Sequence, residues 1–331
     1  MLETATRHEP HTEQPQRAPL IEVENLTVRY GRARSGAPVA LDGVSLEILE
    51  GEVLGVVGES GSGKSTLGKA LLGLAPVVGG TITYRGRRIE SLAPPQMREF
   101  HREMQMIFQD PFGSLNPRMT VREIVAAPLR NFGIMERDRI DGYVEELLGQ
   151  VGISKALLDR YPTQFSGGQR QRVGIARALA VSPRFVVADE PVSALDVSIQ
   201  AQVVNLLVDL QKERNLTMMF VSHDMGVVRH IADRVCVVYL GRIVEIAPAD
   251  EFFDEPLHPY SRMLLDAVPG HSGAAGDLDR DVPSIPRAAT GCRFADICPV
   301  VDPMCREVAP PLAERKDGRA VRCHFPDSLS A

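Results

Sequence analysis

The sequence has no excess of basic residues. Its 37 lysines and arginines stand against 43 aspartates and glutamates, which gives a formal net charge of −6. A protein that binds nucleic acid through the phosphate backbone needs a surplus of lysine and arginine. We therefore expect no nucleic acid among the main partners of this chain.

Long hydrophobic segments are missing too. No uninterrupted apolar run approaches the ~18–20 residues that span a bilayer, and residues 1–19 lack the apolar core of a secretory signal. Five cysteines in 331 residues are too few for a disulfide scaffold. These features predict a soluble, cytoplasmic protein, and the length is enough for about two domains.

Short apolar strands alternate with amphipathic helices along most of the chain. This alternation predicts an α/β fold around a largely parallel sheet. We expect a flexible tail at residues 1–19, a main α/β domain at 20–250 with a helical insertion at about 113–168, and a C-terminal extension at 251–331. Residues 269–287 have the composition of a linker.

A glycine-rich segment after the apolar run 53–57 fits the pattern G-x-x-x-x-G-K-[ST]. It consists of Gly58, Glu59, Ser60, Gly61, Ser62, Gly63, Lys64, Ser65 and Thr66. In this motif the backbone N–H groups point at phosphate oxygens, the lysine reaches the β- and γ-phosphates, and the serine hydroxyl can bind Mg²⁺. Because a strand precedes it and a helix follows, we predict a nucleotide-phosphate site.

A second predicted strand ends in two carboxylates, Asp189 and Glu190. Near a phosphate-binding loop, an aspartate in this position can hold Mg²⁺, and the adjacent glutamate can orient the attacking water. The alternative is an acidic helix cap with no catalytic role.

A predicted helix begins at a third motif, which consists of Ser166, Gly167, Gly168 and Gln169. Ser166 could simply cap the helix. Two glycines behind it leave N–H groups uncovered, which suits the approach of an anion. One nucleotide does not need two such cradles from one chain, so the motif indicates that a second chain is present.

Together these segments resemble the ATP-binding cassette (ABC) ATPases, over about residues 20–248. The resemblance implies a P-loop NTPase fold of the ABC type, with an antiparallel β subdomain, a helical insertion and, here, a small cysteine-containing C-terminal extension. It also implies that Tyr30 stacks on adenine, that Gln109 touches Mg²⁺ and that His223 contacts the γ-phosphate. Residues 193–196 match the loop that joins the two cassettes of a dimer.

Two shorter segments resemble, more narrowly, the ATP-binding subunits of bacterial dipeptide and oligopeptide importers. They are FQDPFGSLN at residues 108–116 and LHPYSRMLL at residues 257–265. This resemblance implies a peripheral protein at the cytoplasmic face of the cell membrane, which uses ATP and Mg²⁺. Its implied partners are a second, usually different ATPase subunit, two transmembrane permease subunits and an extracytoplasmic substrate-binding protein. The alternatives are an importer of nickel, glutathione or muropeptide, and a soluble non-transport ABC ATPase with a redox- or iron-sensing tail.

Four of the five cysteines lie in the segment 291–326, and they are Cys292, Cys298, Cys305 and Cys323. Their spacing lacks the C-x2-C pairs of zinc ribbons and differs from the ferredoxin spacings. Their concentration nevertheless indicates a shared ligand sphere, and the importer resemblance implies a [4Fe–4S] cluster, as in some relatives. Zn²⁺ and no metal at all are the alternatives.

Overall fold

The computed structural model describes residues 17–31, 39–267 and 290–329. Most of the predicted flexible tail and the whole of the predicted linker lie outside these residues.

Strands in the described residues form two sheets. The strands are β1 (Pro19–Arg29), β2 (Val39–Leu49), β3 (Val53–Val57), β4 (Val77–Tyr84), β5 (Arg87–Arg88), β6 (Met104–Ile107), β7 (Phe185–Asp189), β8 (Thr217–Val221), β9 (Arg234–Tyr239), β10 (Arg242–Pro248), β11 (Ala313–Glu314) and β12 (Ala320–Val321).

The α-helices of the described residues surround these sheets. They are α1 (Lys64–Leu71), α2 (Pro94–Glu103), α3 (Val121–Phe132), α4 (Arg137–Gln150), α5 (Gly167–Leu179), α6 (Val197–Arg214), α7 (Met225–Ile231), α8 (Ala249–Asp254), α9 (Pro259–Asp266) and α10 (Pro303–Glu307). None of them is long and apolar enough to cross a membrane.

The smaller sheet is antiparallel and has the strand order β2–β1–β4–β5. In its centre Val23 pairs with Leu46 on one side and with Ile82 on the other. All three side chains are buried and share the core that fills the space between the two sheets. This sheet is the predicted antiparallel subdomain.

The larger sheet has the order β11–β12–β10–β9–β3–β8–β7–β6, and its five strands from β9 to β6 run parallel. Every residue of β3, β7 and β8 is buried, as continuous apolar runs predict. Since the carboxyl ends of parallel strands lie at one edge, the loops after β3, β6, β7 and β8 all leave the sheet at the same side.

Helices α3, α4 and α5 pack against one another through buried side chains such as Val125, Val144 and Val173. Thr120 begins α3 with a reciprocal capping box, in which its hydroxyl accepts the N–H of Glu123 and the Glu123 carboxylate accepts the N–H of Thr120. Helices α3 and α4 lie within the segment 113–168 predicted as a helical insertion, whereas α5 begins at its end. The α/β fold class expected from the sequence is confirmed.

Two elements of the main domain have only weak sequence signals. Helix α2 buries only Met97 and Phe100, so its apolar stripe is too narrow to stand out. In strand β10 the apolar sequence pattern is interrupted by Glu245, which is nevertheless buried. The C-terminal region joins the larger sheet at this strand. Strand β12 pairs with β10 at Glu245 and Ile246, and β11 pairs with β12.

Helix α1 lies directly against the strand that ends in Asp189. A Cβ atom at Gly68 would come within 2.6 Å of Cγ1 of Val187, so the absence of a side chain lets the helix approach β7. This contact sets the distance between the glycine-rich loop and the carboxylates.

We predict that Gly68→Ala lowers the free energy of unfolding by about 1–3 kcal/mol, because the new methyl group overpacks against Val187. Val187→Ala alone should also destabilise the fold, by leaving a cavity. In the double variant the two defects fill each other, so its loss should be smaller than the sum. Urea unfolding of the four proteins measures the coupling, and additive losses would contradict the prediction.

Candidate functional site

The glycine-rich loop connects β3 to α1 and wraps tightly against a neighbouring strand. Gly58 has a φ of 143°, and a Cβ atom there would lie 2.2 Å from the carbonyl oxygen of Val238. Gly63 has a φ of 112° and precedes α1, whose first N–H groups receive no side-chain cap. The positive end of the helix therefore faces the loop interior, which suits a phosphate.

Lys64 is buried within this loop, with 4 % of its surface exposed. Its Nζ donates to the carbonyl oxygens of Gly58 and Glu59, each at 2.7 Å. Burial lowers the pKa of Lys64, while the charges of Glu190, Asp189 and Glu59 act in the opposite direction. The loop thus holds a desolvated cation whose counter-charges come from the end of β7 and from Glu59 in the loop itself.

Asp189 ends β7 next to the start of α1. One of its carboxylate oxygens accepts a 2.6 Å hydrogen bond from the Ser65 hydroxyl. Burial raises the pKa of Asp189, and the bond from Ser65 opposes that rise. The two oxygens that the sequence predicts as Mg²⁺ ligands are therefore neighbours, and hydroxyl and carboxylate oxygens are suitable ligands for this ion.

Side chains from two other loops contact the carboxylate of Glu190. Gln109, after β6, donates its Nε2 hydrogen to Oε2 of Glu190 at 2.9 Å. His223, after β8, places Nδ1 3.6 Å from the same oxygen. The structure therefore brings together three predicted residues that lie far apart in the chain.

The backbone of Glu190 is in the left-handed region, with a φ of 45°. Its N–H group donates to the carbonyl oxygen of Val221 at 3.0 Å, which fixes the turn against β8. A non-glycine residue in this region is strained, and such strain is concentrated at functional sites. The turn aims the carboxylate at the same edge of the sheet as Lys64 and Asp189.

Tyr30 lies at the end of the antiparallel sheet, just after β1. Its side chain is 45 % exposed, so a ring face is open to solvent and could stack on a base.

The segment Ser166–Gln169 lies at the start of α5. Ser166 caps the helix by accepting the N–H of Gln169 at 3.3 Å, and the Gln169 side chain accepts the N–H of Ser166 at 3.0 Å. A Cβ atom at Gly168 would lie 2.4 Å from Cγ2 of Ile199, so this glycine also has a packing reason that the sequence did not reveal.

The four C-terminal cysteines line one cavity, together with Phe294 and His258. Burial raises the pKa of the Cys292 and Cys298 thiols, and raises that of Cys323 to about 11. Within residues 17–31, 39–267 and 290–329, however, no three His, Cys, Asp or Glu side chains are arranged to hold a metal ion. The expected iron–sulfur cluster or zinc ion is thus not supported by a metal-binding group. The fifth cysteine, Cys236, is buried in β9.

One residue beside the phosphate loop has no signal of its own in the sequence. Tyr260, in α9, accepts the N–H of Glu59 through its hydroxyl oxygen at 2.9 Å. The surrounding LHPYSRMLL segment indicates a resemblance to the peptide importers, but it predicts no role for this tyrosine.

Comparison with known proteins identifies the class. Residues 41–193 match the family described as ABC transporter, and residues 244–305 match the oligopeptide/dipeptide transporter C-terminal region. A solved dimeric structure of the ATP-binding cassette MJ0796, in a post-hydrolysis state with ADP and Pi, is similar at a TM-score of 0.63. It is 30 % identical and covers 69 % of this chain and 98 % of its own.

Two curated relatives narrow the class. The putative oligopeptide transport ATP-binding protein YkfD of Bacillus subtilis (strain 168) is 47 % identical over 316 residues, which are 93 % of this chain and 96 % of that protein. The oligopeptide transport ATP-binding protein OppF of Escherichia coli (strain K12) is 48 % identical over 297 residues, 88 % and 89 % of the two chains.

The chain is an ABC-type ATPase. It belongs to the family of oligopeptide transport ATP-binding proteins, in which the cassette is followed by the oligopeptide/dipeptide transporter C-terminal region.

We predict that Glu190→Gly is more stable than Glu190→Ala by about 1 kcal/mol. Both variants lose the carboxylate, but only alanine pays the cost of a left-handed φ, which exceeds the entropy that glycine loses on folding. Thermal and urea unfolding measure the difference. The same pair at Glu146, an exposed residue inside α4, is the control and should show the opposite order. If the Gly variant were more stable than the Ala variant at both positions, or less stable at both, the strain at Glu190 would be contradicted.

Proposed function

We propose that this chain hydrolyses ATP to power the import of dipeptides or oligopeptides through a membrane ABC permease. The observation that carries the proposal is the convergence of Gln109 and His223 on Glu190, beside the loop that holds Lys64. The oligopeptide/dipeptide transporter region at residues 244–305 and the names of the relatives support the peptide cargo.

In the proposed mechanism, residues 58–66 bind the phosphates through backbone N–H groups, and Lys64 neutralises charge that develops on the γ-phosphate. Ser65, Gln109 and Asp189 would hold Mg²⁺, which supplies further charge stabilisation when bound. Glu190 orients the attacking water, and His223 completes the contacts around the γ-phosphate. Tyr30 stacks on adenine.

A second cassette would complete each site. We propose that Ser166, Gly167, Gly168 and Gln169 act in trans, on ATP held by the partner's phosphate loop. Helix α5 supports this role because its N-terminus carries two glycines next to an exposed cap. The partner is a second ABC ATPase subunit, and we expect it to be a different chain.

The remaining proposed partners are two transmembrane permease subunits and, through the assembled complex, an extracytoplasmic substrate-binding protein. The chain would then lie at the cytoplasmic face of the cell membrane as a peripheral subunit.

We predict that Glu190→Gln lowers ATP turnover of the assembled transporter by at least ~10²-fold. ATP binding should persist, because phosphate loop and Lys64 are intact. The measurements are phosphate release and ATP affinity, with Glu146→Gln, on the exposed face of α4, as the matched control. Turnover at the wild-type rate would remove Glu190 from its catalytic role.

We further propose that the four-cysteine cavity binds an iron–sulfur cluster, with zinc as the alternative. The support is that Cys292, Cys298, Cys305 and Cys323 line a single cavity. Zinc requires its ligands to converge on one point at about 2.3 Å, whereas a cluster places irons and sulfides between its thiolates. The preference for the cluster over zinc comes from the resemblance to peptide-importer ATPases, in some of which a [4Fe–4S] cluster is implied.

If this proposal holds, protein purified anaerobically should absorb broadly near ~400 nm and contain about four irons and four sulfides per chain. Cys298→Ser should bleach the protein, while Cys236→Ala should leave the colour unchanged because that thiol lies in β9. Colourless protein with one zinc per chain would favour zinc. Protein without metal would contradict both.

A further inference from the structure

The peptide backbone of Glu59 is held from two sides. Its carbonyl oxygen accepts a 2.7 Å bond from Nζ of Lys64, within the loop. Its N–H group donates to the hydroxyl oxygen of Tyr260 at 2.9 Å, across 201 positions of sequence. The first contact comes from Lys64, which is proposed to neutralise charge on the γ-phosphate, and the second comes from a different part of the fold.

Tyr260 is itself firmly placed. Its side chain is fully buried, with 0 % exposed. The ring packs against Tyr239 at a centroid distance of 4.5 Å and against Phe294 at 5.6 Å. Tyr239 directly follows Val238, whose carbonyl oxygen lies against Gly58. The aromatic cluster of Tyr239, Tyr260 and Phe294 therefore packs next to the glycine-rich loop and supports it.

The backbone around Tyr260 is anchored as well. The two carboxylate oxygens of buried Glu245 accept the N–H groups of Leu257 and His258 at 2.9 and 2.8 Å. His258 Nδ1 in turn accepts the N–H of Tyr260 at 3.0 Å. Burial lowers the pKa of His258 to about 3, so its ring is neutral and Nδ1 can accept this bond. The hydroxyl of Tyr260 thus reaches Glu59 from a rigid support.

We propose that Tyr260 is a positioning residue for ATP binding, which holds the first turn of the phosphate loop through the N–H group of Glu59. This inference rests on the proposed role of residues 58–66 in binding ATP. When Lys64 turns to the phosphates, its bonds to the Gly58 and Glu59 carbonyls weaken. The bond to Tyr260 does not involve the nucleotide, so it keeps the Glu59 peptide in place and the loop prearranged.

The test is Tyr260→Phe in the full chain, which removes the hydroxyl oxygen but keeps the ring and its packing. Tyr239→Phe is the matched control, since it makes the same chemical change in the adjacent ring. We expect Tyr260→Phe to raise the dissociation constant of Mg-ATP by about 3- to 10-fold, the effect of one lost hydrogen bond. In the assembled transporter KM for ATP should rise by the same factor, with kcat at saturating ATP nearly unchanged.

Thermal unfolding separates positioning from a merely structural role. Tyr260→Phe leaves the Glu59 N–H without its partner, so its midpoint should lie slightly below that of Tyr239→Phe. The inference requires that both variants are fully folded at the assay temperature and that only Tyr260→Phe loses ATP affinity. An unchanged dissociation constant, or an equal loss in both variants, would overturn it. Lys64→Ala tests the underlying function: if that variant binds ATP normally, the proposed phosphate loop is wrong, whereas a failure of Tyr260→Phe alone refutes only the role of Tyr260.

Discussion

The rest of the site depends on how the buried ammonium group of Lys64 is compensated by its partners. A cation with so little exposure needs compensating partners, and it has the Gly58 and Glu59 carbonyls at 2.7 Å and the charges of Asp189 and Glu190 nearby. The carbonyls come from its own loop, but the carboxylates come from β7. The parallel sheet supplies them, because its strands end at one edge.

The position of Glu190 shows how the fold fixes a side chain at an energetic cost. Its backbone adopts a left-handed φ of 45°, and its carboxylate meets Gln109 and His223 from the loops after β6 and β8. Groups fixed in this way need little reorganisation when they orient a water molecule for attack. A carboxylate on a relaxed, exposed turn would have no such orientation.

The C-terminal region is part of the structure that supports the nucleotide loop. Strand β12 pairs with β10 at Glu245, and the same Glu245 anchors the segment that begins α9. Phe294, from the cysteine segment, packs against both Tyr239 and Tyr260. Residues 244–305, which match the oligopeptide/dipeptide transporter C-terminal region, therefore contact the phosphate loop through Tyr260. The cysteine cavity shares His258 and Phe294 with this support.

The fold class, the glycine-rich loop and the carboxylates at the end of β7 could all be predicted from the sequence, because each is a local pattern with its own physical cause. Continuous apolar runs predict buried strands, and glycines at fixed spacing predict a loop with positive φ. That Gln109 and His223 meet at Glu190, and that Tyr260 bonds to Glu59, is known only from the three-dimensional structure. These contacts join residues far apart in the chain, so they depend on strand order and helix packing, which no local pattern specifies.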